Sequence, residues 1–231
     1  MFYLKIATKM QATPHSINIQ KTARYFTYGN FSEKTEHIWF LCHGYGQLAS
    51  YFIKKFEALS PEKHFLVAPE ALSRFYIGGQ MQGRVGATWM TSEDRLAEID
   101  NYVHYLDQVY QQVFLKNPRF NHQKIHFFGF SQGANTINRW ATYSQVEFHS
   151  LTVWGGTFPH DLPFDKAQQR YKGKSIYVVY GNKDEFFNEK HFKEHIEDIN
   201  QKGINTEEIK FEGGHEILAT PLLQLAEKFS L

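Results

Sequence analysis

Cysteine is nearly absent from this chain, and its scarcity limits what the protein can be. Cys42 is the single cysteine among 231 residues, which excludes an internal disulfide framework and fits a reducing compartment. An excess of either charge is also lacking, because 25 lysine and arginine residues are balanced by 24 aspartate and glutamate residues. Without a basic stripe or an acidic block, the sequence indicates neither a nucleic-acid partner nor a disordered tail.

Long hydrophobic runs are missing as well. No stretch of the chain approaches the roughly 18 apolar residues that a membrane-spanning helix needs. Near the start, Lys5 and Lys9 interrupt the apolar run that a secretory signal peptide would require. We therefore expect no membrane span, a cytoplasmic location, and a monomer or homodimer.

Apolar and aromatic residues are plentiful, at 42% and 16% of the chain, and they are sufficient for one large core. We expect residues 1–231 to form a single α/β domain. The strand-like segments show little alternation of apolar and polar residues, which predicts a mostly parallel sheet with helices on both faces. The predicted strands are residues 37–42, 64–69, 124–130, 150–156, 175–181 and 207–211, preceded by an antiparallel pair at 2–10 and 23–29.

Residues 92–115 carry the clearest helical pattern. Thr91 and Asp94 have capping-box spacing at its start. The residues of its apolar stripe are Leu96, Ile99, Val103, Leu106, Val109 and Val113. Further helices are expected between the strands at 37–42 and 64–69, after residue 131, near 188–201 and from about residue 221.

Residues 71–90 are rich in glycine and aromatic side chains but show no clear period. A connection of this length is typical of functional segments. We expect it to contribute to a pocket wall. Within it, Met81, Trp89 and Met90 are candidates either for an acyl pocket or for the core.

The sequence Gly-Phe-Ser-Gln-Gly at residues 129–133 marks an abrupt change from strand to helix. A chain that turns within one residue forces that residue into a strained conformation, and its neighbours must be small. Gly129 and Gly133 meet that need, and the turn lifts the Ser131 hydroxyl above the carboxyl edge of the sheet. We therefore predict that Ser131 is a nucleophile.

A serine hydroxyl needs an adjacent base, which a carboxylate must orient. In α/β-hydrolases the acid and then the histidine follow the serine along the chain, each on a loop after a strand. Asp184 lies in such a loop and His215 in the next, so they are the predicted acid and base. Glu185 is the alternative acid.

Three other histidines have weaker claims. His104 lies on the long helix and His126 within a central strand, so both are interpreted as structural. His43 lies near the active edge but precedes Ser131 in the chain, and we interpret it as ordering its loop.

An oxyanion hole requires two N–H donors that converge on the developing charge. The Gln132 N–H, at a helix N-terminus, is one candidate. The other is the Tyr45 N–H, in a glycine-containing loop at residues 43–46 that lets the backbone approach a substrate.

The sequence His-Phe-Lys-Glu-His at 191–195 matches a zinc-binding pattern. No third ligand is evident, and charged residues surround the two histidines. We interpret this segment as a solvated helix face.

Taken together, these segments resemble the phospholipase/carboxylesterase family of α/β-hydrolases, which includes acyl-protein thioesterases. The resemblance runs from about residue 37 to the end of the chain. It is carried by HGYGQ, a strand ending in AP, a Trp before a helix, GFSQG, a Gly-x-x-Asp loop and GGHEI. Gln47 stands where the family often has an acidic residue.

The resemblance implies an α/β-hydrolase fold, with Ser131, Asp184 and His215 as the catalytic triad and Tyr45 and Gln132 as the oxyanion donors. It implies a serine carboxylesterase that acts on a small-molecule ester through an acyl-enzyme, with no cofactor. An acyl-thioesterase and a non-catalytic ligand-binding protein of the same fold are the alternatives.

Overall fold

A seven-stranded sheet forms the centre of the protein, seen in a computed structural model that describes residues 12–79, 82–115 and 123–229. Its strands lie in the order β1-β3-β2-β6-β7-β8-β9. The strands are β1 (Tyr25–Tyr28), β2 (His37–Cys42), β3 (His64–Pro69), β6 (Lys124–Phe130), β7 (Ser150–Trp154), β8 (Ser175–Gly181) and β9 (Thr206–Phe211). A separate hairpin pairs β4 (Ser73–Tyr76) with β5 (Val85–Thr88).

Six of the seven central strands are parallel, and β1 alone runs antiparallel, to β3. Their carboxyl ends therefore meet at one edge of the sheet. In an open α/β sheet, ligands bind at that edge, near the point where the strand order reverses.

Helices cover both faces of the sheet. One face carries α1 (Ala49–Phe52), continued by a 3₁₀ turn (Ile53–Phe56), and α6 (Ala219–Lys228). The other face carries α2 (Arg95–Leu115), α3 (Gln132–Tyr143), α4 (Phe164–Tyr171) and α5 (Glu189–Gln201). The strands alternate between the two cores, with Ile38 and Phe40 on one side of β2 and Trp39 and Leu41 on the other.

The architecture is that of an α/β-hydrolase, so the predicted fold class is confirmed. The mostly parallel sheet and the helices on both faces follow from strands whose residues are buried on both sides. The predicted segment 23–29 contains β1, whereas residues 2–10 lie outside the described residues. None of the helices in the described ranges is both long enough and apolar enough to cross a bilayer.

The start of the long helix was predicted wrongly. Helix α2 begins at Arg95, and Asp94 has a φ of 44°, which is incompatible with a place inside the first helical turn. Thr91 accepts a hydrogen bond from the Glu93 N–H at 3.2 Å, so it closes a local turn and forms no capping box with Asp94. Leu96 is 73% exposed, because the apolar stripe continues one turn beyond the packed part of the helix.

Candidate active site

Ser131 occupies the sharp turn between β6 and α3. Its φ of 55° and ψ of −118° lie in a region that non-glycine residues rarely adopt. The Ser131 N–H donates to the Trp154 carbonyl at 2.9 Å, which ties the turn to the neighbouring strand β7. Strain at a non-glycine residue persists where surrounding structure enforces it, and such residues concentrate at functional sites.

Glycine is needed at both flanking positions, because a Cβ at each would collide with a different part of the backbone. A Cβ on Gly129 would collide with the Gly133 carbonyl, at the point where strand and helix touch. A Cβ on Gly133 would collide with the Cys42 carbonyl and come within 2.7 Å of the His43 carbonyl. Gly133 thus lets α3 lie against the end of the adjacent strand β2, a contact that the local sequence pattern does not reveal.

Asp184 and His215 meet at the carboxyl edge of the sheet, from the loops that follow β8 and β9. The His215 Nδ1 lies 2.7 Å from the Asp184 Oδ2. Asp184 is 1% exposed through its side chain, and its Oδ1 accepts from the Phe186 N–H at 3.0 Å. A carboxylate so placed holds the proton of the imidazole on Nδ1 and leaves Nε2 as an acceptor. Glu185, the alternative acid, is exposed.

Ser131 and His215 line the same cavity, whose volume is about 720 Å³. Among the described residues there is no hydrogen bond between the Ser131 hydroxyl and the His215 ring. Contacts of this kind are often long in unliganded active sites and tighten when substrate binds. Phe130 and Phe186 pack around the His215 ring, with centroid distances of 4.8 and 4.7 Å.

The two predicted oxyanion donors belong to residues at the same cavity. Within the described ranges, neither the Tyr45 N–H nor the Gln132 N–H donates a hydrogen bond to a backbone carbonyl of the loops and turns. The first N–H groups of a helix have no partner within the helix, which accounts for Gln132 at the start of α3. Both residues line the cavity with Ser131.

The Gln132 side chain has a role that sequence reasoning missed. Its Oε1 accepts from the Trp89 N–H at 3.1 Å, and its Nε2 donates to the Thr88 hydroxyl and to the Met90 carbonyl, both at 2.9 Å. The Trp89 indole N–H in turn donates to the His43 carbonyl at 2.8 Å. Residues 88–90 therefore connect the turn at Ser131 to the loop that contains Tyr45.

The β4–β5 hairpin braces that loop from a second side. The Gly46 N–H donates to the Ala87 carbonyl at 2.9 Å, and the Ala87 N–H donates to the Gln47 carbonyl at 3.2 Å. Gly86 permits this approach, because a Cβ there would lie 2.5 Å from the Gly46 carbonyl oxygen. The Gln47 Oε1 accepts from the Gly44 N–H at 2.9 Å, so an amide rather than a carboxylate closes the loop.

The expectation that residues 71–90 form a pocket wall therefore needs correction. The described residues of this segment, 71–79 and 82–90, do not line the cavity and instead hold the loop that does. Trp89 is fully buried, as a core residue, and Met81 lies outside the described residues.

The remaining histidines separate by environment. His43 accepts from the Ala71 N–H at Nε2 and so donates through Nδ1 to the Gly44 carbonyl, at 3.1 and 2.8 Å. Burial lowers the pKa of His43 to about 4, against a smaller opposing effect of the Gly44 hydrogen bond. His43 is therefore neutral and orders its loop. His104 is exposed on α2, and His126 is buried in β6.

The helix α5 presents two faces. Lysine and glutamate side chains on it are solvated, as expected. His191 and His195, however, line the cavity together with His160, which sequence reasoning did not single out. The described residues contain no group of three or more histidine, cysteine or acidic side chains that could hold a metal ion.

Comparison with known proteins identifies the family. Residues 30–230 match the model of the phospholipase/carboxylesterase family. The chain belongs to this family. No curated protein matches the sequence.

Solved structures with the same fold include several hydrolases. Esterase PE8 is 17% identical and aligns over 91% of this chain and 99% of its own, with a TM-score of 0.66. Acyl-protein thioesterase 2 from Zea mays is 18% identical over 90% of this chain and 98% of its own, with a TM-score of 0.67. A carboxylesterase from Mesorhizobium loti is 16% identical over 86% of this chain and 90% of its own, with a TM-score of 0.65. At these identities the likeness concerns the fold.

Proposed function

We propose that the protein is a serine carboxylesterase in which Ser131, His215 and Asp184 form the catalytic triad. The observation that carries the proposal is the 2.7 Å contact between the Asp184 carboxylate and the ring of His215, which lines the same cavity as the strained Ser131. Membership of an esterase-type family supports the same chemistry.

In the first half of the reaction, the Ser131 Oγ attacks the ester carbonyl carbon while the His215 Nε2 takes the hydroxyl proton. The carbonyl oxygen becomes an oxyanion, which the N–H groups of Tyr45 and Gln132 stabilise. Fixed donors aimed at developing charge are often the largest single contribution to such catalysis. The tetrahedral intermediate then collapses, the bond to the alcohol breaks, and His215 delivers its proton to the departing oxygen.

In the second half, water attacks the acyl-enzyme and passes its proton to His215. The second tetrahedral intermediate expels Ser131, which recovers its proton from the imidazolium. Asp184 stays ionised throughout and stabilises the positive ring, which it also holds in the required tautomer. Every proton and leaving group is accounted for by these three side chains and water, and the scheme requires no cofactor.

The test is labelling by a fluorophosphonate, combined with hydrolysis of p-nitrophenyl esters of increasing chain length. We expect labelling on Ser131, turnover of short and medium esters, and neither in Ser131→Ala. The matched control is Ser92→Ala, an exposed serine outside the cavity, which should label and turn over as the wild type does. A folded Ser131→Ala protein that keeps near-wild-type turnover would contradict the proposal. A thioester of matched acyl chain would measure the preference between esters and thioesters. The cytoplasmic location and the monomeric or homodimeric state stay predictions.

A further inference from the structure

The end of the cavity formed by α5 and by the loop after β7 carries polar side chains beside Phe187 and Phe192. Its side chains include His160, His191 and His195, together with Asn135 and Thr157. Asn135 lies one helical turn after Ser131 on α3, so the polar end begins beside the proposed nucleophile.

No acidic side chain lies among the cavity-lining residues of the described chain, and no lysine or arginine does either. The nearest carboxylate in sequence to His160, that of Asp161, is engaged by Arg95 and by Arg139, the latter at 2.7 Å. The two arginines therefore neutralise the charge of Asp161, and its carboxylate is not a partner of the histidine rings. The ionisable groups at this end of the cavity are imidazoles, which are neutral or positive but never negative.

His195 offers a hydrogen-bond donor at neutral pH. Its Nε2 lies 3.2 Å from the Phe158 N–H, which donates to it, so the ring proton resides on Nδ1. Burial lowers the pKa of His195, and so does the neighbouring His160, against an opposing effect of Asp198 on the same helix. A bound anion would oppose both effects, since a nearby negative charge favours the protonated ring.

Asn135 contributes an amide side chain to the lining of the cavity. Its Oδ1 is buried without a hydrogen-bond partner. A buried polar atom left unpaired costs roughly 1–3 kcal/mol, so native structures usually pair such atoms. A carboxylate only accepts hydrogen bonds, so the NH₂ group of Asn135 is the part of this side chain that can bind one.

We propose that the substrate is an ester bearing a carboxylate, which binds against His160, His191 and His195 while its ester group lies at Ser131. This inference rests on the proposed esterase function and specifies its substrate class. Carboxylates accept hydrogen bonds from imidazole N–H groups, and these bonds strengthen when the imidazole is protonated.

The experiment compares matched pairs of esters that differ only in charge. On the acyl side the pair is the p-nitrophenyl monoester of adipic acid and the corresponding ester of its monoamide. On the alcohol side the pair is 4-(carboxymethyl)phenyl butyrate and its carboxamide. In at least one pair we expect kcat/KM to favour the carboxylate by about tenfold or more, the size of one charge-assisted hydrogen bond.

The variants are His160→Gln, His191→Gln and His195→Gln, singly and combined. Glutamine retains an acceptor for the Phe158 N–H, and the other two histidines are exposed, so folding should be retained. The combined variant should lose the preference for the carboxylate, so that the ratio of kcat/KM between the charged and the neutral ester of each pair falls to about one. His104→Gln, an exposed histidine on α2, is the control and should keep the preference.

The outcomes separate the two proposals. Equal rates within both pairs, or a preference that survives the combined variant, would overturn the carboxylate inference and leave the esterase intact. Absence of both turnover and fluorophosphonate labelling would overturn the esterase proposal, and with it the inference. Calorimetric titration with adipate gives a readout without catalysis, and we expect binding to the wild type and to Ser131→Ala that the combined variant loses.

Discussion

Histidines gather at both ends of the central sheet, and the two groups differ in what surrounds them. At the amino end, His37 begins β2, His64 begins β3, and His126 lies near the start of β6. All three are buried. At the carboxyl end, His215 lies in a cavity beside a carboxylate.

The amino-end histidines satisfy one another and the surrounding aromatic residues. The His126 ring connects the His37 Nδ1, at 2.9 Å, to the Ser150 hydroxyl, at 2.7 Å. The His64 Nδ1 accepts from the Trp39 indole at 3.0 Å. Burial lowers the pKa of each ring, and neighbouring imidazoles reinforce the effect at His64 and His126. These rings are neutral packing groups.

At the carboxyl end, the His215 ring contacts an acidic side chain and also borders a cavity. Asp184 lies against the His215 Nδ1, and His215 lines the cavity. In the proposed mechanism its other nitrogen meets the substrate there. Comparison of the two ends teaches that burial alone makes a histidine inert. An ordered carboxylate together with access to solvent gives it the arrangement that acid–base chemistry requires.

The largest expected effect comes from substituting one histidine at each end of the sheet and comparing the results. His215→Gln should lower kcat/KM by about 10⁴-fold or more, because the general base is lost. His126→Gln should instead lower the midpoint of urea unfolding, since it disturbs a buried hydrogen-bonded chain. Hydrolysis rates per folded molecule and urea curves of both proteins measure the contrast. A severe loss of activity in folded His126→Gln would contradict this contrast between the two ends of the sheet.

The second prediction tests whether Asp184, and not its neighbour Glu185, is the acid of the triad. Asp184→Asn should lower kcat/KM by roughly 10⁴-fold, because the orientation and charge stabilisation of His215 are lost. Glu185→Gln is the matched neighbour, and as an exposed residue it should leave the rate within about twofold of wild type. A crippled Glu185→Gln beside a mild Asp184→Asn would show that the acid is misassigned by one residue.

The third effect concerns the contact between α3 and β2 at the carboxyl end. Gly133→Ala should destabilise the protein by about 3 kcal/mol or more, or prevent folding, because its Cβ meets the backbone of residues 42 and 43. Gly214→Ala is the control, since the nearest atom to its Cβ lies 3.8 Å away. Thermal and urea unfolding measure both. Equal stability of the two variants would refute the close approach.

The pH dependence of stability tests the amino end. Burial and the nearby His37 lower the pKa of His64 to about 4, from an ordinary value of 6.5. Between pH 6.5 and 4 the unfolded chain therefore binds a proton that the folded ring does not, so the free energy of unfolding falls as the pH is lowered. The contribution is fully present above pH 6.5 and is lost by pH 4.

His64→Gln retains an acceptor for the Trp39 indole and removes this titration. Urea titrations at several pH values should show a shallower fall in stability between pH 6.5 and 4 than in the wild type. An unaltered slope in His64→Gln would be evidence against a neutral buried ring.

The smallest expected effect lies in the support of the loop at residues 43–46, which contains the proposed oxyanion donor Tyr45. Trp89→Phe removes the 2.8 Å hydrogen bond to the His43 carbonyl and keeps most of the packing. We expect kcat to fall by up to about tenfold, the equivalent of one hydrogen bond, with KM nearly unchanged. A change confined to KM would indicate that the loop positions substrate rather than the transition state.

Local sequence patterns predicted most of the elements. The strands at 37–42, 64–69, 124–130 and 175–181 agree with the structure, because residues buried on both sides leave unbroken apolar runs. The glycines around Ser131 likewise predicted the turn. Helix α4, at Phe164–Tyr171, was missed because only two of its eight residues are buried.

Only the tertiary structure decided which distant groups come together. Asp184 and His215 are 31 residues apart, and Gln132 bonds to residues more than 40 positions earlier in the chain. The sequence determined that a serine stands at a strained turn, because that depends on adjacent residues and backbone sterics. The brace from residues 86–90 and the cavity lining of His160, His191 and His195 depend on how separate elements pack, which no local pattern records.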